Sequence, residues 1–233
     1  MSTDIQRILV PVDFSEASAR AIEVGGAVAR HAHAELHLLH AEALEAPVYF
    51  THEQVEGLAA QRRALQHQAE AFLATFGRRH TSSVFTATVE TKPPTEAILE
   101  SAGGVDLVVM GTHGRRGPSL WWLGSVAERV LREIDTPLLV VHAGDEPQSN
   151  FARVCVCAEP EARGDRALAL AKALAAPVTG IVTDRRGPLP ADADADATLL
   201  AVAAPHAGDR IARSRVAVSR IRTRAGSVLF VPE

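Results

Sequence analysis

Apolar and polar positions along this chain alternate between the period of strands and that of helices. Ile8-Leu9-Val10-Pro11-Val12 is a short β-branched run closed by proline, the pattern of a buried strand. Ser15-Glu16-Ala17-Ser18 supplies a helix N-cap, and Ala-rich residues continue to His31. Glu35 to Ala41 predicts a second strand, and the pattern breaks over residues 42–52, which hold Pro47. A long helix is expected from about Glu53 to Arg78, with Gly77 near its end. Val84 to Glu90 alternates as a third strand, and Pro93-Pro94-Thr95 opens a short helix, because proline suits a first helical turn. Val105 to Met110 is a fourth strand. A Gly-rich loop and a helix to about Ile134 follow, and Leu138 to Val141 is a fifth strand. Strands alternating with helices predict an α/β protein with an open, doubly wound parallel sheet, Rossmann-like, and a ligand crevice at the carboxyl ends of the strands.

Gly144 to Asn150 is a polar linker, and after it the pattern restarts. Arg153-Val154-Cys155-Val156-Cys157 echoes Arg7 to Pro11, and Ala162 to Ala175 is again an Ala-rich helix. Pro177 to Val182 reads as a strand like that at Glu35. Thr198 to Val202 echoes the strand at Val105, and Ser227 to Pro232 echoes Thr136 to Val141, with a helix expected from about Asp209 to Arg224. Asp192, Asp194 and Asp196 alternate with alanines in a low-complexity stretch over 184–197. The expectation is two tandem copies, 1–146 and 147–233, the second truncated by a helix, a strand and a helix.

Composition narrows the classes. With 233 residues and 47% hydrophobic content the chain is not wholly disordered. Apolar runs such as Leu107 to Met110 fall far below the roughly 20 residues a bilayer requires, so no membrane partner is expected. Two cysteines and an N-terminus without a basic region and apolar core point to a reducing cytoplasm. A net charge of −4 argues against the whole chain binding nucleic acid, and the balance is −7 over 1–146 but +3 over 147–233.

The most specific segment runs from Gly111 to Val126. Glycines at 111 and 114 let backbone amides approach an anion, and Gly124-Ser125-Val126 opens a helix whose free N–H groups and dipole favour phosphate. The Ser125 hydroxyl is placed to cap the helix or bind a phosphate oxygen, and Arg115 to lie along a polyphosphate. No Gly-Lys-Ser/Thr triplet is present, so this is not a Walker loop.

The segment fits G-x2-G-x9-G-[ST], with Gly111, Gly114, Gly124 and Ser125 at all four positions, and here the chain resembles the universal stress protein family. The likeness covers residues 5–142, includes Ile8 to Ser15, and the repeated architecture resembles tandem members. It implies an adenine nucleotide alpha hydrolase-like fold and an ATP site. Pro11, Val12 and Asp13 would lie around adenine and ribose, Ala41 beside the base, and Met110 and Gly111 at the ribose. Gly114, Arg115, Gly124, Ser125 and Val126 would hold phosphates, with Mg2+ accompanying the triphosphate. His113, inside the loop, either touches the ligand or only supplies polarity. After the strand at Thr198 the sequence is Ala203 to Asp209, without the glycine pair or the Gly-Ser start, and no Asp matches Asp13. The second copy is therefore expected to bind no nucleotide and to pack against the first, as a second subunit does in single-domain members. A monomer and a homodimer of tandem chains both satisfy that pairing.

Other signals are weaker. His31, His33, His37 and His40 are dense, but His31-x-His33 reads better as an exposed helix-to-strand turn than as metal ligands. Cys155 and Cys157 share one strand face and read as small core hydrophobes. Trp121-Trp122 either covers the nucleotide, packs on another chain or makes ordinary core contacts. The arginines around Ile211 read as a solvated helix face rather than a nucleic-acid patch. The functional expectation is an ATP-binding stress-response protein in which nucleotide is a signal or structural ligand, with no catalytic residue assigned. A slow ATPase and a nucleotide-free dimerisation module stand as rivals.

Overall fold

The computed structural model describes residues 5–43, 52–112, 123–142, 151–158, 162–175, 181–184, 198–204 and 226–232. In chain order β1 is Arg7–Pro11, α1 Glu16–Ala32, β2 Glu35–Ala41, α2 His52–His80 and β3 Phe85–Glu90. Then come α3 (Pro94–Ala102), β4 (Leu107–Gly111), α4 (Ser125–Glu133) and β5 (Leu138–Val141). The remaining elements are β6 (Arg153–Ala158), α5 (Asp165–Ala175), β7 (Ile181–Asp184), β8 (Leu199–Ala204) and β9 (Ser227–Pro232).

The nine strands among the described residues join one sheet in the order β3-β2-β1-β4-β5-β9-β8-β6-β7. Every neighbouring pair is parallel except β5 with β9, so the sheet is mixed rather than wholly parallel. Parallel strands need both faces covered, which explains their continuous apolar runs. Side chains alternate between two cores. Ile8, Val10, Leu38, Val109, Leu139, Val156, Leu199 and Leu229 face one core, closed by residues of α1, α2 and α5. Leu9, Leu39, Val108, Leu138, Cys155, Cys157, Leu200 and Phe230 face the other, to which α3 and α4 contribute. Both cores run unbroken across the β5–β9 seam. Leu139 pairs with Leu229 in the first, and Leu138 with Phe230 and Val140 with Val228 in the second.

Equivalent contacts recur on both sides of that seam. The Asp106 N–H donates to the Arg7 carbonyl at 2.9 Å, and the Thr198 N–H donates to the Arg153 carbonyl at 2.7 Å. In return Asp106 Oδ2 accepts from the Arg7 N–H at 2.9 Å and Thr198 Oγ1 from the Arg153 N–H at 3.1 Å. Each pair aligns the start of an inner strand (β1, β6) with the residue leading into its neighbour (β4, β8).

Gly77 falls three residues before the end of α2 at His80, near the helix end as expected. The position is also close-packed: a Cβ there would stand 2.6 Å from both Leu38 Cδ1 and Phe85 Cζ. α5 begins at Asp165 rather than Ala162, and residues 177–180, expected to open β7, lie outside the described residues. The histidine turn behaves as read: His31 and His33 are exposed, and His33 closes α1 in the left-handed region at φ 53° with its N–H on the Ala29 carbonyl. Cys155 and Cys157 are buried and in no disulfide. The helix expected over 209–224 lies outside the described residues, as do Trp121 and Trp122. Among the described residues no helix is long and apolar enough to cross a membrane.

Candidate functional site

The chain winds outward from β1 through β2 to β3, then crosses back to β4 on the other side of β1. The order reverses between β1 and β4, the kind of switch point at whose carboxyl ends doubly wound sheets bind ligands. Two turns flank it.

The first follows β1. The Val12 N–H continues the ladder to the Leu39 carbonyl at 2.8 Å, and the Val12 side chain is buried in the α1-side core. Asp13 is exposed. Its Oδ1 accepts from the Ser15 N–H at 3.1 Å and from Ser15 Oγ at 2.6 Å. Ser15 Oγ in turn accepts from the Ser18 N–H at 3.1 Å, the N-cap bond of α1. The Asp13 carboxylate is thus oriented by the residue that starts the helix, an Asx-type turn.

The second turn follows β4. The Thr112 N–H donates to the Val141 carbonyl at 3.0 Å, and the Gly124 N–H donates to the Thr112 carbonyl at 2.7 Å. Thr112 and Gly124 are thus held together at the end of β4. α4 starts at Ser125 with Gly124 as N-cap and no side-chain cap. Ser125 stands at the first helical position, exposed, so the expectation that its hydroxyl caps the helix is not met: the N-cap place is already taken by glycine. Helix geometry leaves the N–H groups of this first turn without intrahelical carbonyls, and the dipole makes that end partly positive.

Of the predicted site residues, Pro11, Val12, Asp13, Ala41, Met110, Gly111, Gly124, Ser125 and Val126 are described; His113, Gly114 and Arg115 lie outside the described residues. Ala41, Met110 and Val126 pack on the same apolar cluster on the α3–α4 side. Gly111 is also close-packed: a Cβ there would stand 2.7 Å from the Ala17 carbonyl carbon in the first turn of α1. Among the described residues no three His, Cys, Asp or Glu side chains are grouped to hold a metal ion.

Two residues that sequence reasoning did not assign to the site stand beside it. Phe14 adopts φ 62°, a rare backbone state for a bulky side chain. Its ring lies 4.6 Å from that of His40, 4.7 Å from Phe72 and 5.4 Å from Phe76. His40 is half-buried, its Nδ1 2.7 Å from the Val12 carbonyl oxygen. The signal was its parity: His40 shares the β2 face of Leu36 and Leu38 and so had to turn toward α1 and α2.

The fold is that of a doubly wound α/β protein, with an oriented carboxylate after its first strand and a helix start without a side-chain cap after its fourth. The comparisons give the family: the universal stress protein family model matches residues 4–142, and the chain belongs to that family. A universal stress protein of Thermus aquaticus is 33% identical over 138 residues, 58% of this chain and 96% of that protein. One from Mycolicibacterium smegmatis is 45% identical over 53 residues, 23% of this chain, and the matched segment spans only 18% of that relative. Among solved structures, a universal stress protein from Archaeoglobus fulgidus superposes with TM-score 0.62 at 19% identity, covering 100% of this chain and 98% of its own. A Pseudomonas aeruginosa protein of unknown function gives TM-score 0.55 at 14% identity, covering 99% and 93%. At these identities the superpositions establish the fold, and they do so over the whole chain.

Proposed function

We propose that the protein binds ATP in the β1–β4 crevice and uses the nucleotide as a signal or structural ligand in a cytoplasmic stress response. The observation that carries the reading is the uncapped start of α4, held against the end of β4 by the Gly124–Thr112 bond. Anionic phosphates suit such a helix start. The apolar wall of Ala41, Met110 and Val126 suits a base and sugar, and Asp13 suits a ribose hydroxyl or a nucleotide-borne Mg2+. Mg2+ would be held chiefly by the phosphates, since Asp13 is a single carboxylate. His113, Gly114 and Arg115 would complete the phosphate loop.

We also propose that 147–233 is a shortened copy of 1–146 paired with it inside one chain. The strand registers make Leu139 equivalent to Leu229, one residue away from the sequence echo of Thr136–Val141 by Ser227–Pro232, and the two face each other at the centre of the β5–β9 register, with Leu138↔Phe230 and Val140↔Val228 disposed symmetrically about them. The matching Asp106–Arg7 and Thr198–Arg153 contacts support the same equivalence. A copy without the glycine motif would leave one nucleotide site per chain.

The test is titration calorimetry with ATP, with and without Mg2+, on the full chain and on a Gly114→Ala, Ser125→Ala double variant. One site per chain, lost in the variant, is the expected result. No heat, and no nucleotide released on denaturing the purified protein, refutes the reading and favours a nucleotide-free dimerisation module.

A further inference from the structure

The residues on either side of Asp13 both lean on one side chain from the neighbouring strand. The Val12 carbonyl accepts a hydrogen bond from His40 Nδ1 at 2.7 Å, and the Phe14 ring packs 4.6 Å from the imidazole. The Val12 N–H is already tied to the Leu39 carbonyl, so both backbone groups of Val12 are held by consecutive residues of β2. Phe14 follows at φ 62°, a conformation that persists only where the surroundings enforce it. Ser15 fixes the Asp13 carboxylate itself but cannot fix the backbone on its other side.

We propose that His40 is a positioning residue for the nucleotide crevice: it holds the β1-to-α1 turn in the shape that presents Asp13 at the switch point. The proposal rests on the nucleotide reading above. A carbonyl oxygen has no proton to give, so Nδ1 carries the hydrogen and the tautomer is set. Nε2 then faces outward, 4.0 Å from Glu42 Oε2. Without the donor the turn samples shapes in which Asp13 is displaced, and apparent affinity falls with the fraction of molecules that keep the competent turn.

Two substitutions separate donor from ring. His40→Phe keeps an aromatic against Phe14 but gives Val12 no donor; His40→Asn restores an N–H donor without the ring. In ATP titrations of the full chain, His40→Phe is expected to bind about three- to tenfold more weakly, the range spanned by one net hydrogen bond. His40→Asn is expected to recover to within about twofold of wild type, as a donor-based role requires. Wild-type binding that His40→Phe retains in full overturns this proposal alone. Absence of ATP binding by the wild type refutes the nucleotide reading and this proposal with it. The ligand-free protein gives an independent readout: nitrogen NMR must show His40 protonated at Nδ1 when neutral, and an Nε2–H tautomer overturns the proposal whatever the nucleotide does.

Discussion

Gly111 offers the sharpest test of what the glycine motif does. It ends β4, and the first turn of α1 crosses directly over it. A Cβ built there would lie 2.7 Å from the carbonyl carbon of Ala17, 2.8 Å from its Cβ and 2.9 Å from its oxygen, and real Cβ atoms essentially never show contacts below 3.0 Å. The neighbour is backbone, so no rotamer change relieves the clash. Nor is α1 free to slide, because its N-cap is tied to Asp13 through Ser15. Gly111→Ala must therefore displace the start of α1 or the end of β4. Overpacking of this kind costs about 1–3 kcal/mol. In a chain of this size 1 kcal/mol moves Tm by about 2–4 °C, so a fall of about 2–12 °C is expected by differential scanning calorimetry. Gly124→Ala is the control: φ −62° and ψ 153° are ordinary for alanine. That substitution costs less than about 1 kcal/mol as a poorer N-cap, while impairing ATP binding if the phosphates rest there. A Gly111→Ala protein that melts with the wild type refutes the packing argument.

Three further outcomes are expected. Phe14→Gly should be more stable than Phe14→Ala by about 1 kcal/mol in urea denaturation, because both lose the aromatic contacts but only alanine pays the left-handed strain at φ 62°; equal stabilities refute that strain. Leu229→Ala, at a fully buried position on the seam, should cost about 2–5 kcal/mol while unfolding stays a single transition, and a separate early transition would show that the seam does not couple the two strand sets. Burial lowers the pKa of His37 below the usual imidazole value of about 6.5, so the native state favours the neutral ring. The unfolded chain then takes up the proton first, and stability should drop as pH falls from above 6.5 through the depressed native value. The urea midpoint should be lower at pH 5.5 than at 7.5, and less so in His37→Gln; a pH-independent difference between the two proteins refutes it.

β1, β4 and β5 were legible because burial on both faces leaves an apolar run, β3 by its alternation, and β2 and β5 begin and end where the pattern says. Helix ends were less so. Gly77 looks like a C-cap, but glycine is also what close packing selects, and sequence does not separate a φ requirement from a missing volume. The same ambiguity affects Gly111, read as a ligand-approach glycine and found beneath α1. The crevice was legible as a place, since Asp13 and Gly124 fall after β1 and before α4. His40 was not, because its role depends on register: only the pairing of Pro11 with Leu39 brings the next β2 residue against the Val12 carbonyl. The antiparallel seam was equally hidden, since nothing local to Leu138–Val141 or Val228–Val231 states the direction of a partner strand.

That seam has a physical necessity behind it. β5 is Leu138-Leu139-Val140-Val141, at most 1% exposed at every position. As a free edge it would present flat apolar faces and unpaired N–H and C=O groups, the combination most prone to pair with other chains. β9 covers it, with side chains continuing both cores, and the outermost strands become β3 and β7. The outer strand β3 is of a different kind: Thr86 on it is exposed, and the Val89 carbonyl is taken by the Gln66 side chain at 3.1 Å. If the second half stands in for a partner subunit, a chain ending at residue 146 must find another cover for β5. It should dimerise through that strand or precipitate, and Leu139→Lys in the shortened chain should abolish the dimer by burying a charge at its centre. Sedimentation equilibrium distinguishes the outcomes. A shortened chain that is monomeric, monodisperse and as stable as the full protein would mean that β5 needs no partner, and the pairing of the two halves would lose its physical reason.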